Sequence, residues 1–308
     1  MANTFITPSV IAGRALAVLY NTTVLAQLVW RDFDADFTSK QGDTVTVRKN
    51  ASFTAGNFDR NTGVQAQTLT EASTTVQLDT IPDMAVAVTD EEMTLEIDDF
   101  QGRVLDPMLE AIVQKIDGEL AEALVDASGV GGGGGVVNLS DDPASTDEAN
   151  YVFRAALARM GRNKLPTSNR YAVLSPEAHA LVLGDKLLVR ANESGSTQAL
   201  RDAIVGRMFM FETYGSIQAF GYGPGDKGQA DGVAFHRDAV VLATRSLGKP
   251  QGLAPAQYSL QNYKGLGLRV TYDWNSSKKQ DEVAVDILYG IDTLRPEGAI
   301  ELNFGQGS

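Results

Sequence analysis

Apolar and polar residues alternate along three stretches in the first third of the chain, residues 42–49, 74–81 and 84–88. Alternation with a period of two predicts half-buried antiparallel strands. The polar connection at 50–72 is much longer than an ordinary loop, and loops of that length are usually functional or disordered. Its larger apolar residues are Phe53, Phe58, Val64 and Leu69. A two-stranded hairpin is marginally stable alone, so we expect this one to lie on a neighbouring copy of the chain.

A helical repeat begins at Asp106, an N-capping residue that precedes a proline at the first helical position, Pro107. Apolar residues then recur at steps of three and four as far as Leu124, with polar residues such as Asp117 between them. About 20 helical residues make a rod of roughly 30 Å. We expect this helix to project from the core as an exposed rod.

A run of glycine ends this helix between residues 129 and 135. Glycine has more backbone freedom than any other residue, so the run predicts a flexible hinge and a domain boundary. The predicted hinge residues are Gly131, Gly132, Gly133 and Gly134. An ordered turn is the alternative interpretation of the same run.

Shorter elements are predicted on both sides of the long helix. The N-terminal segment predicts one amphipathic helix from Thr7 and a short apolar stretch, 24–30, that must pack on another element. From the glycine run to residue 250, helices and strands mix without βαβ alternation, which indicates an α+β fold. Helices are expected near 145–160, 175–184 and 197–205, and strands at 207–212, 216–220 and 232–236. Residues 267–274 and 282–289 predict two further strands that pair with each other and pack beside the long helix.

Composition narrows the class of protein. The 308 residues carry 26 Lys and Arg against 39 Asp and Glu, a net charge of −13, and no cysteine. A chain without cysteine has no disulfide scaffold and no thiolate metal site. Proteins that bind duplex DNA neutralise phosphates with clustered basic residues, so we expect no specific DNA binding here. No apolar run approaches the roughly 18 residues of a membrane span, and the start does not predict a signal peptide.

Candidate catalytic and metal-binding groups do not converge in the sequence. The two histidines, His179 and His236, are far apart, and a packing or surface role suits His179 best. The aspartates at 32, 34 and 36 have the spacing of the first ligands in a calcium-binding loop, but the glycine and the glutamate of such a loop are absent. A solvated acidic turn is therefore expected. The glycine motif at 223–228 leads into a strand and not into the helix that would hold a phosphate. We therefore expect no catalytic residue, no cofactor and no metal.

Four groups of residues carry a resemblance to a known family. They are residues 7–12 with 21–26, residues 42–49, residues 234–239, and residues 288–290 with 294–297. Because these four groups occur in this order and at this spacing, the chain resembles the major capsid proteins of tailed bacteriophages, which have the Hong Kong 97-type fold. Within that family it is most similar to the coat proteins of short-tailed phages. The likeness runs over nearly the whole length.

The resemblance implies five segments in an α+β capsid fold. They are an N-terminal arm (1–41), an extended hairpin loop (42–92), a spine helix with the peripheral domain (93–135), an axial domain (136–250), and the peripheral domain's C-terminal strands (251–308). Contact between subunits is then expected at Phe53, Phe58, Val64, Leu69, Trp30 and Arg60. Residues 50–72 contain no lysine that could form an isopeptide crosslink, so a non-covalent shell is expected.

The function that the resemblance implies is structural. Copies of the chain would assemble through hexamers and pentamers into an icosahedral head around packaged double-stranded DNA, in the host bacterial cytoplasm, and remain in the virion. The implied partners are the chain itself, a portal protein, a separate scaffolding protein and an optional decoration protein. The scaffold is expected to be separate because no extra domain precedes the arm.

Two other functions stay open at the level of the sequence. An encapsulin-type compartment shell shares the fold but encloses protein cargo, and neighbouring portal or scaffold genes would argue against it. An acidic hydrolase would use paired carboxylates such as those at 91–92 and 98–99. Adjacent side chains point apart, however, so these pairs suit a charged rim better than a catalytic site.

Overall fold

In the computed structural model the described residues are 15, 23–31, 44–48, 57, 60, 63, 73–89, 106–129, 133–142, 149–185, 207–215, 231–250, 257–263, 266–278 and 280–305. Their helices are α1 (Leu25–Leu28), α2 (Asp106–Gly129), α3 (Asn150–Arg162) and α4 (Pro176–Leu183), with 3-10 turns at Leu139–Asp141 and Pro296–Gly298. Their strands are β1 (Thr44–Arg48), β2 (Ser73–Gln77), β3 (Asp83–Thr89), β4 (Val136–Asn138), β5 (Arg170–Leu174), β6 (Arg207–Met208), β7 (Phe211–Gly215), β8 (Gly232–His236), β9 (Val240–Arg245), β10 (Tyr258–Tyr263), β11 (Leu266–Asn275), β12 (Gln280–Asp286), β13 (Leu288–Thr293) and β14 (Ala299–Asn303).

The longest helix, α2, begins at Asp106 and ends at Gly129, as the apolar repeat predicts. The expectation that it is an exposed rod is wrong. Its apolar stripe is buried in the main core, and Ile116 and Leu120 are fully inaccessible to solvent. The helix contacts α1, β8, β9, β13 and β14, because a stripe of this spacing must be covered along one side. α2 is therefore central to the fold.

The strands of the described residues form four sheets. One antiparallel sheet has the order β10–β11–β12–β3, and a mixed sheet has the order β4–β14–β8–β5–β7–β6. The other two sheets are the pairs β13–β9 and β1–β2. The predicted pairing of 267–274 with 282–289 is confirmed in β11 and β12, where Val270 lies opposite Val285. Helices and mixed sheets together confirm the α+β class.

Two sheets join parts of the chain that are distant in sequence. β3 follows the hairpin loop but pairs with β12, where Val86 lies opposite Val283. β14 is the last strand of the described chain, yet it lies between β4 and β8, with Ile300 opposite Ala234. The segments implied by the resemblance are therefore connected across their boundaries by strand pairing.

Two apolar cores lie on opposite faces of the six-stranded sheet. α2 covers one face, and α3 and α4 cover the other. Consecutive residues of β8 divide between them, because side chains alternate along a strand: Phe235 joins the α2 core and Ala234 joins the second core. The second core centres on Phe153, whose ring lies 6.4 Å from that of Phe211 and 6.0 Å from that of Phe304.

Some strand predictions need correction. Residues 207–212 are not one strand, because the chain turns at Phe209 and Met210 and forms the hairpin β6–β7. These two residues have φ angles of 46° and 71°. The predicted strand 282–289 divides at Ile287 into β12 and β13. β9 was not predicted, because it is buried along almost its whole length and so lacks the alternation of a half-exposed strand.

The helix ends follow local capping. The side chain of Ser175 accepts a hydrogen bond of 3.2 Å from Ala178 N–H, and α4 ends before Gly184, as predicted. α3 begins at Asn150, whose backbone N–H donates to the buried carboxylate of Asp185 at 2.8 Å. Outside the described residues lie the predicted capping sequence 145–148, the predicted helix 197–205 and the predicted strand 216–220.

Candidate assembly interface

The hairpin predicted from the alternating residues is present. β1 and β2 run antiparallel, with Thr44 opposite Gln77 and Arg48 opposite Ser73. Within the described residues neither strand pairs with a third, so their sheet has two open edges. A two-stranded sheet is marginally stable by itself and offers unpaired backbone groups along both edges. The hairpin is therefore a surface that a second molecule can cover.

The base of the hairpin is held in a small apolar cluster, separate from the two main cores. Val76 of β2 and the following Leu78 are buried there against Val241 of β9. Leu294 is also buried in this cluster, and the ring of Trp30 packs on its rim. The cluster therefore joins the arm, the hairpin and the body of the protein at one point.

Two consecutive residues of β13 hold the hairpin base by backbone contact. Tyr289 and Thr80 exchange N–H···O bonds of 3.0 and 3.1 Å. At Gly290 a Cβ atom would overlap the carbonyl oxygen of Gln77 and lie 3.2 Å from the Cα atom of Leu78. Glycine is the residue that leaves room for such a close backbone crossing.

Tyr289 also connects the hairpin base to α2. Its ring is fully buried, and its hydroxyl donates to the carboxylate of Glu119. The same carboxylate lies 2.9 Å from the ammonium group of Lys115. Burial and the neighbouring Glu119 raise the pKa of Tyr289 above its ordinary value, so the hydroxyl keeps its proton and remains a donor. One residue thus binds the hairpin by its backbone and the long helix by its hydroxyl.

A buried carboxylate on α2 holds the arm. Asp117 accepts hydrogen bonds from the backbone N–H groups of Val24 at 2.8 Å and Ala26 at 3.3 Å. These N–H groups belong to the first turn of α1, where no preceding side chain caps the helix. Burial raises the pKa of Asp117 to about 6, and the N–H donors act in the opposite direction. Asp117 therefore caps α1 from a distant element.

This role of Asp117 was missed because the residue was grouped with the polar positions of α2. The sequence contains a signal that could have found it. Asp117 follows Val113 by four residues and precedes Leu120 by three, so it lies on the apolar stripe of the helix. A carboxylate at such a position is almost never buried without a partner. Its partner here is backbone, which sequence patterns do not identify.

The structure describes two of the six predicted contact residues. Trp30 packs within its own chain: its N–H donates to Val240 O at 3.3 Å, and its carbonyl accepts from Leu242 N–H at 3.0 Å. Arg60 is exposed. Outside the described residues lie Phe53, Phe58, Val64 and Leu69. Contact between subunits stays a prediction for all six.

The described part of the glycine run is an ordered turn, the alternative that the sequence left open. Gly134 N–H donates to Ala299 O at 3.1 Å, and Gly135 N–H donates to Ser128 O at 3.0 Å. Arg159 also donates to the carbonyl oxygen of Gly134. Gly133 has backbone atoms of α2 so close that a side chain would overlap them, whereas Gly131 and Gly132 lie outside the described residues. A hinge motion here stays a prediction.

Three kinds of functional feature matter in the described residues: metal ligands, membrane-spanning helices and titratable groups with a shifted pKa. No three His, Asp or Glu side chains among them are grouped as metal ligands. No helix in the same part of the chain is long and apolar enough to cross a bilayer. His179 is half-buried on α4 beside Gly215, and burial lowers its pKa. Outside the described residues lie the acidic turn at 32–36, the pairs at 91–92 and 98–99, and the glycine motif at 223–228.

Comparison by sequence matches no protein family and no curated protein. Comparison by structure matches solved capsids. A chain from Mycobacterium phage Che8 has a TM-score of 0.63 and 17% identity, over 92% of this chain and 91% of that chain. The cyanophage P-SCSP1u capsid has a TM-score of 0.60 and 15% identity, over 86% and 84%. The mature capsid of bacteriophage PhiM1 has a TM-score of 0.59 and 13% identity, over 85% and 82%. The chain has the Hong Kong 97-type capsid fold.

The capsid fold accounts for the arrangement of the described elements. The likeness covers most of this chain and most of the solved chains. At such low identity the capsid fold is what the chain has in common with them.

Proposed function

We propose that the chain is a major capsid protein, which self-assembles through hexamers and pentamers into an icosahedral phage head around double-stranded DNA. The observation that carries the proposal is the hairpin β1–β2, a two-stranded sheet with two open edges in a chain that has the capsid fold. A neighbouring copy would cover this sheet and make it stable.

The proposal gives each of the five segments a role. The arm (1–41) and the hairpin loop (42–92) reach to neighbouring subunits. The spine helix (93–135) and the C-terminal strands (251–308) form the peripheral domain, and the axial domain (136–250) lines the symmetry axes of the capsomers. The described contacts that support this division are those of the hairpin base, where the arm, β2, β9 and β13 meet.

The partners in the proposal are the chain itself, a portal protein, a separate scaffolding protein and a decoration protein. Packaged DNA would be enclosed without specific binding, because a chain with a net charge of −13 repels phosphate at long range. Assembly would take place in the host bacterial cytoplasm, and the finished shell would be non-covalent.

A matched pair of loop variants tests the hairpin's role. In the first, Phe53, Phe58, Val64 and Leu69 are all changed to Ala. Each large apolar side chain buried on a neighbour contributes about 1.5–3 kcal/mol, so this variant should remain folded and form no shells. The control changes four polar residues of the same segment to Ala, namely Thr54, Asn61, Gln65 and Thr68, and should assemble like the wild type.

Negative-stain electron microscopy and light scattering after size exclusion measure the outcome, with and without the scaffold candidate from the gene neighbourhood. Closed shells or five- and six-fold rings from the wild type and the control, but not from the apolar variant, are expected. Replacement of residues 52–70 by a short Gly-Ser turn should also abolish shells. A wild-type chain that stays monomeric under every condition would contradict the proposed function, and normal shells from the Gly-Ser variant would contradict the role of the loop.

A further inference from the structure

The tight turn between β8 and β9 connects three segments that are distant in sequence. Ala239 N–H donates to His236 O at 2.8 Å and closes the turn. Arg237 N–H donates to Asn169 O at 3.0 Å, which connects the turn to the loop before β5. The carbonyl oxygen of Ala239 accepts from the N–H groups of Leu294 at 2.9 Å and the next residue at 3.1 Å. The turn therefore holds both the loop before β5 and the segment after β13.

The imidazole ring of His236 takes part in the same turn. The side chain is 3% exposed, and its Nδ1 atom accepts a hydrogen bond of 3.2 Å from Asp238 N–H. An accepting Nδ1 carries no proton, so the ring is neutral and its proton is on Nε2. Nε2 is buried and has no hydrogen bond of normal geometry to the described residues, although the backbone of Ser168 weakly favours the charged ring.

Protonation of this ring changes the turn directly. A second proton must bind Nδ1, the atom that now accepts from Asp238 N–H, so that hydrogen bond is lost. The carboxylate of Asp238 could accept from the new N–H, but its Oδ2 atom lies 3.7 Å from Nδ1, beyond hydrogen-bond distance. The charged ring can form that bond only after the partly exposed Asp238 side chain shifts toward it, and the Asp238 N–H group in the turn is left without its acceptor.

The charges around the ring act on its protonation in opposite directions. Arg170 on β5 and Arg295 after β13 face it and disfavour a further positive charge, while Asp238 favours one. Arg170 is itself nearly buried and donates to the carbonyl oxygen of Leu165 at 2.9 Å. Arg295 is paired with Glu297 at 3.1 Å. Burial is the largest effect, and the pKa of His236 is lowered in the folded protein.

We propose that His236 makes the turn between β8 and β9 a proton-sensitive joint, which opens in mild acid and releases the loop before β5 and the segment after β13. The joint lies within one chain, so the proposal holds whether or not copies assemble. In the native state the ring is neutral, whereas in the opened turn it titrates near pH 6.5. Opening should therefore become more favourable between pH 7.5 and pH 5.5, by at most about tenfold when the native ring stays neutral throughout.

Hydrogen exchange measured by mass spectrometry tests this proposal on the full-length chain. Because the intrinsic rate of amide exchange changes with pH, the exchange times at the two pH values are adjusted to give equal intrinsic exchange. The variant His179→Gln leaves His236 as the only histidine. Its peptides from 231–245 and 288–298 should lose protection at pH 5.5, by up to about tenfold. In His236→Gln the same peptides should have equal protection at both pH values, because the side chain is always neutral.

Asp117 also titrates in this range, but it affects other peptides and has the opposite sign, because its pKa is raised. Acid should therefore strengthen protection in α1 and α2 while it weakens protection at the joint. Unchanged protection of 231–245 in His179→Gln would overturn the proposal, and so would an equal loss that persists in His236→Gln. If His236→Gln does not fold, the result from His179→Gln still decides.

Discussion

Gly290→Ala tests whether the hairpin is held by the close crossing of β13 and the end of β2. The new methyl carbon would lie 2.8 Å from the carbonyl carbon of Gln77, where ordinary contact begins near 3.4 Å. The carbonyl oxygen of Gln77 would be closer still, so the two strands must separate by more than about 0.6 Å, which also strains the hydrogen bonds between Thr80 and Tyr289. Overpacking of this kind typically costs about 1–3 kcal/mol.

Urea denaturation measures this loss, and limited proteolysis shows whether the hairpin has become detached. We expect Gly290→Ala to lower the free energy of unfolding by about 1–3 kcal/mol and to expose new cleavage sites at the hairpin base. Shell formation, followed by electron microscopy, should fall in parallel because the hairpin no longer has a fixed direction.

Gly118→Ala is the matched control, since it adds the same methyl group to the middle of α2, where nothing lies within 4 Å. It should stabilise the protein by about 0.5–1 kcal/mol, because alanine favours the helix. The opposite signs of the two changes separate the close crossing from a general effect of losing glycine. A Gly290→Ala protein as stable as the wild type would refute the reasoning.

Two further predictions concern buried charge and backbone strain. The native state holds the proton of Asp117 more tightly than the unfolded chain does, since its pKa rises from 3.8 to about 6. Its contribution to stability is therefore greatest below pH 4 and falls by about 3 kcal/mol as the pH rises past 6. Asp117→Asn should remove this pH dependence in urea denaturation at pH 4.5 and 7, and a variant that keeps the wild-type slope would contradict the assignment. Met210→Gly relieves a positive φ angle at an exposed turn and should raise stability by about 0.5–1 kcal/mol, whereas an unchanged urea midpoint would show that the turn is not strained.

The sequence predicts elements whose signal is local. The proline and aspartate at the start of α2 and the serine before α4 mark helix starts, because capping depends on residues only a few positions apart. Alternation marks β1 and β2 because each is patterned like a half-exposed strand. Fully buried β9 lacks that pattern, and the apolar turn at Phe209 and Met210 lacks the Asn-Gly that usually signals a two-residue hairpin.

Long-range contacts could not be predicted in the same way. Gly290 was part of a recognised motif, but the chain that crosses it comes from residues 77–78, which nothing in the local pattern connects to it. As a charged residue, Asp117 is expected among the solvent-facing residues of α2, because the backbone donors that it binds belong to the distant α1 segment. The expectation that α2 is an exposed rod failed for a related reason. The topology of the fold decides how many elements cover a helix, and this number cannot be read from the apolar stripe of the helix itself.

The position of β14 has a consequence for how the protein is made. Residues 299–303 lie between β4 and β8, and β4 pairs with β14 alone in the described part of the chain. On the ribosome, where synthesis proceeds at about 5–20 residues per second, β8 has an unpaired edge until residues 299–303 have emerged. A nascent chain therefore cannot complete this sheet early. Any translation product that stops before residue 299 lacks the strand between β4 and β8, so an incomplete copy cannot complete this sheet.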